Sequence, residues 1–409
     1  MRKKIRVDDL AIGMYVAELC GAWMDNPFWS SSFAITDQKQ IDTLRSSKIR
    51  EVWIDLQQSP DTLQKTATPA VAHLGATQPP LAGDSNHHQI APVPIADELA
   101  QAAKICAQAR VAVTSMFREA RMGNTVDAVG VNQLVQDISD SVKRNGSALI
   151  SLARLKTADD YTYMHSVAVC AMMIALGRQL GLNESDIRAA GIAGLLHDIG
   201  KALLPMAVLN KPGKLTPAEF DIVKTHPELG LQLMGEAGKS NPMALEVCLQ
   251  HHEKVDGSGY PRGLKGAEIS LYAKMGAVCD VYDAITSNRP YKAGWDPAES
   301  MRQMGLWAES HFDAAVFQAF ARSLGIYPVG SLVRLTSGRI GVVIEQSPNA
   351  LTMPVVKVFY SDKTKQRIPP ENLNLAAPGG TDRISAREDP AKWNFPDLNV
   401  LWSGLPVAG

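Results

Sequence analysis

Ile192-Ala193-Gly194-Leu195-Leu196-His197-Asp198-Ile199-Gly200-Lys201 is the stretch on which the reading of this chain turns. An apolar helical run ends on two residue types that bind divalent first-row metals. Adjacent residues on a helix diverge by about 100°. A His-Asp pair can therefore aim at two neighbouring ions, with the carboxylate bridging them. Lys201 comes three residues after Asp198, about one turn on, and lies near the same mouth. An ammonium there can hold a phosphate oxygen or protonate a leaving alkoxide. Taken alone, the stretch also fits a helix C-terminus whose lysine complements the dipole.

The signal grows outward from there. His251-His252-Glu253 precedes Asp256-Gly257-Ser258-Gly259-Tyr260-Pro261. Two imidazoles at a helix end sit beside a glycine-rich loop, and glycines let backbone approach a ligand closely. Asp280 lies among Met275, Val278 and Val281 on an expected helix 271–287, with Asp283 one turn on. A carboxylate in such company is costly unless paired or metal-bound. Arg289 and Lys292 follow at the helix end, two cations able to clamp phosphates. Solvated turn charges are the plainer reading of that pair. With His165 and His226, the middle of the chain holds His165, His197, Asp198, His226, His251, His252 and Asp280. That set exceeds what one tetrahedral ion needs and suits two ions sharing a carboxylate. Paired metals are a standard device for in-line displacement at phosphorus, so the residues point to a phosphate-ester hydrolase.

The segments His197–Lys201, His251–Pro261 and Asp280–Lys292 resemble the signature of the HD-GYP phosphodiesterases, a branch of the HD-domain metal-dependent phosphohydrolases. The likeness covers about 150 to 325. It implies hydrolysis of cyclic di-GMP, a bacterial second messenger, to linear pGpG and on to GMP, by a hydroxide bridging two metals. It implies His165, His197, Asp198 and Asp280 around one ion, with Asp198 bridging, and His226, His251 and His252 completing the second. Lys201 would contact the scissile phosphate, with Lys201 and Asp198 as the catalytic pair. Arg289 and Lys292 would bind substrate phosphates, Asp283 would support the site and touch substrate, and Tyr260 would shape the substrate pocket. The Gly-Tyr-Pro loop would also offer a docking surface for protein partners. Mixed His and carboxylate ligation suits iron or manganese. Some relatives hold a third ion through a Glu four residues before the first histidine; Tyr161 stands there, and two ions are expected. Residues 1 to about 140 resemble a module of unknown function that commonly precedes such domains, through Gly13–Val16 and Trp23–Phe28. The competing readings are a receptor that binds cyclic di-GMP without turnover and a phosphohydrolase for another nucleotide.

Bulk properties set the frame. At 409 residues, two or three domains are expected. The 41 basic and 42 acidic residues leave a net charge of -1, so duplex nucleic acid is not an expected partner. Five scattered cysteines argue against a disulfide framework and for a reducing compartment. No apolar run reaches the roughly 20 residues of a membrane span, and a cytoplasmic protein is expected. The oligomeric state stays open, a dimer included.

The expected fold is multidomain and mainly α. Residues 1–56 read as a small α+β module, with strands at 33–35 and 51–56 and a helix over 37–46 that puts Ile41 and Leu44 on one face. Residues 57–96, rich in Pro and Ala, read as a linker in which His73, His87 and His88 are solvated. Connecting helices fill 97–146, one from Asp97 and one after Asn132. The catalytic helical bundle spans 147–325, with helix starts at Thr216-Pro217, Asn241-Pro242 and Asp296-Pro297 and stops at Gly181, Gly238 and Gly325. Three strands at 331–335, 340–344 and 355–360, with turns at Ser337-Gly338 and Pro348-Asn349, make a small β appendage over 326–375. The tail, 376–409, reads as irregular, with Trp393, Phe395 and Trp402 expected to dock.

Overall fold

Glu51-Val52-Trp53-Ile54-Asp55 alternates so that Val52 and Ile54 share a face, and both are buried. A computed structural model describes residues 2–20, 33–35, 38–46, 50–55, 91–124, 127–155, 161–211, 213–238, 241–287, 294–308, 310–347 and 350–405. Its contacts divide the chain into Met1–Gln89 and Ile90–Gly409.

In the first unit, strands β1 (Arg2–Arg6), β2 (Tyr15–Cys20), β3 (Phe33–Ala34) and β4 (Glu51–Asp55) form an antiparallel sheet in the order β1-β4-β2-β3. Helix α1 (Gln38–Ser46) presents Ile41 and Leu44 to a core with Val7, Leu10, Val16 and Ile35. β1 escaped the sequence reading because its charged run, Arg2-Lys3-Lys4-Ile5-Arg6, shows no apolar alternation; it is an edge strand, where charge is tolerated. Trp23–Phe28 and the linker residues 57–90 lie outside the described residues.

The second unit opens with α2 (Ile95–Arg121) and α3 (Ala128–Arg144). Asp127 caps α3 through the Val129 N–H, so that helix starts four residues before Asn132. Glu98 is buried and pins the pair: it accepts from Arg144 Nε at 2.6 Å, from Arg144 Nη2 at 2.9 Å and from Ser141 Oγ at 2.7 Å. The bundle continues through α4 (Ala148–Ala153), α5 (Tyr161–Gln179), α6 (Glu184–Leu196), α7 (Met206–Leu209), α8 (Pro217–Val223), α9 (His226–Gly238), α10 (Pro242–Gln250), α11 (Leu271–Thr286), α12 (Pro297–Trp307) and α13 (Ala314–Leu324). α5 is the central member. Val167 to Leu176 are buried on every face, because α2, α3, α4, α6, α11 and α13 surround it. Among the described residues no helix is long and apolar enough to cross a membrane.

After α13 comes an antiparallel sheet of β5 (Leu332–Leu335), β6 (Arg339–Glu345), β7 (Val355–Ser361), β8 (Gln366–Asn374) and β9 (Ile384–Arg387), in the order β8-β7-β6-β5-β9. The three expected strands are its centre. The two that sequence reading missed are its edges. β8 carries Pro369-Pro370, which a central strand excludes and an edge admits. The tail ends in α14 (Leu398–Ser403). Its aromatics dock as expected: Trp393 and Phe395 stack at 5.4 Å, Phe359 meets Phe395 edge-on at 4.9 Å, and Trp402 is buried under Arg154.

One close approach sets the geometry of the bundle's interior. A short 3-10 turn, Ile199–Leu203, crosses the start of α9. A Cβ on Gly200 would stand 1.9 Å from the His226 carbonyl oxygen and 2.5 Å from the Gly230 nitrogen. Only glycine lets this turn lie against that backbone. Gly200→Ala is expected to push α9 away and to cost about 1–3 kcal/mol of stability. Thermal unfolding would show it, with His226 displaced from Asp198 in the variant's structure.

Candidate metal centre

Five elements converge on one buried carboxylate. His165 comes from the first turns of α5, His197 caps α6, and Asp198 opens the 3-10 turn. His226 begins α9, His251 caps α10 with His252 next to it, and Asp280 lies within α11. The two oxygens of Asp198 face different partners. Oδ2 lies 3.3 Å from His197 Nε2 and 3.5 Å from His165 Nε2. Oδ1 lies 3.2 Å from His226 Nε2 and 3.7 Å from His251 Nε2. Asp280 Oδ1 stands 3.0 Å from His165 Nε2, and its Oδ2 is 3.7 Å from His252 Nδ1. Two groups of donors result: His165, His197 and Asp280 in one, and Asp198, His226, His251 and His252 in the other.

The imidazoles are oriented from behind. His197 Nδ1 donates to the Gly194 carbonyl at 2.8 Å, His226 Nδ1 to Val223 at 2.7 Å, and His251 Nδ1 to Val247 at 2.9 Å. His165 Nδ1 donates to Asp283 Oδ2 at 2.7 Å. With the proton on Nδ1, each ring turns an Nε2 lone pair inward. Those lone pairs then meet head-on: His165 and His197 at 3.2 Å, His226 and His251 at 3.3 Å. Such an arrangement repels itself unless a cation lies between. Donors about 2.0–2.1 Å from one metal and at right angles to each other are roughly 3 Å apart, which matches these spacings. Asp198 Oδ1 is buried and makes no hydrogen bond of acceptable geometry, although His226 is near. The residues present therefore fit divalent metal.

The charges agree. Burial pushes the His197, His226 and His252 imidazoles down, keeping their lone pairs free. His165 is the exception: burial opposes its charge, but hydrogen bonds to Asp280 and Asp283 outweigh it and draw that ring up, so an ion there would have to displace its Nε2 proton. Asp198 and Asp280 resist burial and stay well below the usual carboxylate range. Lys201 has the largest lowering effect on Asp198, and the His165 hydrogen bond has it on Asp280. Lys201 Nζ is paired with Asp198 Oδ2 and is partly exposed at the mouth.

Asp283, expected to support the site and to touch substrate, is buried behind His165; Ser287 Oγ donates to its other oxygen at 3.2 Å. Tyr260 stacks on His252 with centroids 4.6 Å apart. Burial, then the charges of Asp280 and Asp198, push its phenol up, so it stays a neutral donor. Arg289 and Lys292 lie outside the described residues, as do Asp160 and the side chain of Tyr161. One residue with a clear task had none assigned from sequence. Glu253 is buried and accepts from the Arg262 N–H at 2.7 Å and the Leu264 N–H at 3.0 Å, tying the Gly-Tyr-Pro loop to the helix end that holds both histidines. A carboxylate directly after two consecutive histidines was the available signal. A large apolar cleft of about 1010 Å³ between α3, α6 and α10 holds none of these residues.

The family profile described as an HD domain matches residues 138–316, and a domain of unknown function, DUF3391, matches residues 2–131. A protein of Pseudomonas aeruginosa named a cyclic di-GMP phosphodiesterase is 51% identical over 406 residues, covering 99% of this chain and 96% of that one. The chain belongs to the HD-domain phosphodiesterases. More distant members of the family match less than half of the chain. A cyclic di-GMP phosphodiesterase response regulator of Xanthomonas campestris is 41% identical over 42% of this chain and 47% of its own length. A 3'3'-cGAMP-specific phosphodiesterase of Vibrio cholerae is 35% identical over 41% of this chain and 36% of its own. This HD-domain enzyme therefore matches the Pseudomonas protein along nearly its whole length and the others over less than half of it.

Loss of an outer partner typically costs ten- to a hundredfold in metal affinity. Asp283→Ala is expected to weaken metal binding by about that factor, since it frees the His165 ring to turn. Metal titration of the apoprotein would measure it; wild-type affinity in the variant would refute the orienting role.

Proposed function

We propose that this enzyme hydrolyses cyclic di-GMP to linear pGpG, and pGpG more slowly to GMP, at a centre of two divalent ions, iron or manganese. The observation that carries the reading is the single Asp198 carboxylate placed between two sets of imidazole donors. Bound metals would polarise the phosphoryl group and lower the pKa of water at the site. The chain's own residues do the rest. His165, His197, Asp198 and Asp280 hold one ion, and Asp198, His226, His251 and His252 the other. Lys201 leaves its pairing with Asp198 to take a phosphate oxygen or to protonate the leaving alkoxide. Arg289 and Lys292 fix the phosphates by charge-assisted hydrogen bonds. Tyr260 closes the pocket over His252.

The whole-chain likeness to an enzyme named for cyclic di-GMP supports that substrate. The name of the Vibrio relative makes 3'3'-cGAMP the competing substrate. A receptor without turnover is disfavoured because every donor and Lys201 is in place.

Anaerobically purified protein tests the reading directly. Elemental analysis is expected to give two metals per chain, and chromatography to show pGpG accumulating ahead of GMP. Three ions would refute the nuclearity read from Tyr161. Faster turnover of 3'3'-cGAMP than of cyclic di-GMP would reassign the substrate. Asp198→Ala should lose metal and reduce turnover beyond the roughly hundredfold that loss of an outer partner costs. Arg289→Ala and Lys292→Ala should keep both metals and raise KM about ten- to a hundredfold, the worth of a hydrogen bond to a charged group. Loss of metal in these two variants would make them structural residues instead.

A further inference from the structure

Helix α8 is unusual for a surface helix because it buries none of its residues. An amphipathic helix ordinarily spends its apolar residues on the core. Here Phe220 is 47% exposed, and Ile222 is exposed as well. Leu203 and Met206, on the segment between Lys201 and α8, are also exposed. The helix is nevertheless held in place. Thr216 and Glu219 form a capping box, and Lys211 Nζ binds both oxygens of Glu219 at 2.6 and 2.8 Å. An apolar surface fixed this firmly beside a polar centre calls for an occupant.

The ring contacts say where the surface leads. Phe220 meets Tyr260 edge-on, with centroids 6.4 Å apart and planes at 78°. Tyr260 in turn stacks on His252, one of the metal-centre donors. The aromatic series thus runs from the centre to the protein surface, with two perpendicular rings making a corner. Lys224 Nζ stands 5.4 Å from the Phe220 ring centroid and pairs with Asp221 at 2.6 Å, adding a cation to that corner. A purine fits such a place. It has a flat π-face for Phe220, polar edges for Tyr260, and a phosphodiester that would extend toward the metals.

We propose that Phe220 is the stacking platform for one guanine base of the cyclic dinucleotide, with Tyr260 as the wall of that subsite and Lys224 at its rim. The inference rests on the substrate class proposed above and extends it to base recognition. Phe220 is half exposed and its ring meets Tyr260, which lies between it and His252, so its effect falls on nucleotide binding. Stacking on an aromatic side chain changes affinity by roughly five- to a hundredfold on alanine substitution.

The test compares two diesters on the metal-loaded enzyme: cyclic di-GMP, and methyl p-nitrophenyl phosphate, which has no nucleobase. Phe220→Ala is expected to raise KM for cyclic di-GMP by about five- to a hundredfold, with kcat/KM falling far less for the small diester. Phe220→Trp should restore the nucleotide KM. Metal content should match wild type in both variants, as expected for an exposed position. Equal losses on the two substrates, or no loss on either, would overturn the platform and leave the patch to a protein partner. Wild-type enzyme that cleaves the small diester and not cyclic di-GMP would instead overturn the substrate reading, and this inference with it.

Discussion

The buried carboxylate of Asp198 is the constraint around which the bundle is arranged. It is 1% exposed, ionised, and faced by four imidazoles, two on each oxygen. A charge in that position is costly without strong compensation. Lys201 supplies one partner, and that lysine sits at the mouth, where a substrate would compete for it. A cation held by the imidazoles would supply the rest. A helix bundle that placed only one set of histidines there would leave the other oxygen stranded. The fold brings in both, because α6 and α10 end, and α9 begins, against the same carboxylate.

That convergence is built from helix ends more than from helix faces. His197 and His251 are C-caps, and His226 is the first residue of α9. A ring at a helix end can turn its Nδ1–H back to a carbonyl of the preceding turn, as His197, His226 and His251 all do. The unpaired carbonyls of a helix terminus thereby become the orienting shell. His165 enters from within a helix, where the carbonyls are already paired. It needs a side chain instead, and Asp283 provides it from one turn beyond Asp280 on α11.

The donors were legible because they stand in short ordered segments, and because Asp280 is too polar for its neighbours. The role of Asp283 was less legible. One turn from a ligand, a carboxylate can face the ion or back the ligand, and only the position of α5 decides between them. Glu253 was hidden for a related reason: its partners are the backbone N–H groups of Arg262 and Leu264, which have no side-chain signature. In the sheets, the central strands announced themselves by apolar runs. The edges did not. β1 is charged and β8 holds two prolines, features that suit an edge and blur the pattern that reveals a strand.

From the sequence, α2 reads as a connecting helix. Its contacts make it packed scaffold. Ten of its residues are buried, against α3, α4 and α5 among others. Glu98 ties it to α3 through Arg144, and at its start the Ile95 N–H donates to Glu345 Oε1 of β6 at 3.2 Å. A carboxylate at a helix N-terminus both satisfies a free donor and opposes the dipole. The small C-terminal sheet therefore caps the helix by which the catalytic unit begins. Arg387 of β9 pairs with Glu299 of α12 at 3.0 Å, and Arg154 donates to the Val329 carbonyl in the segment leading into β5, so the sheet and its entry are tied to the bundle at further points. Residues distant in sequence thus close the unit on itself. α2 is held at its start and along its length, which makes it part of the frame supporting α5 and, through α5, the ring of His165.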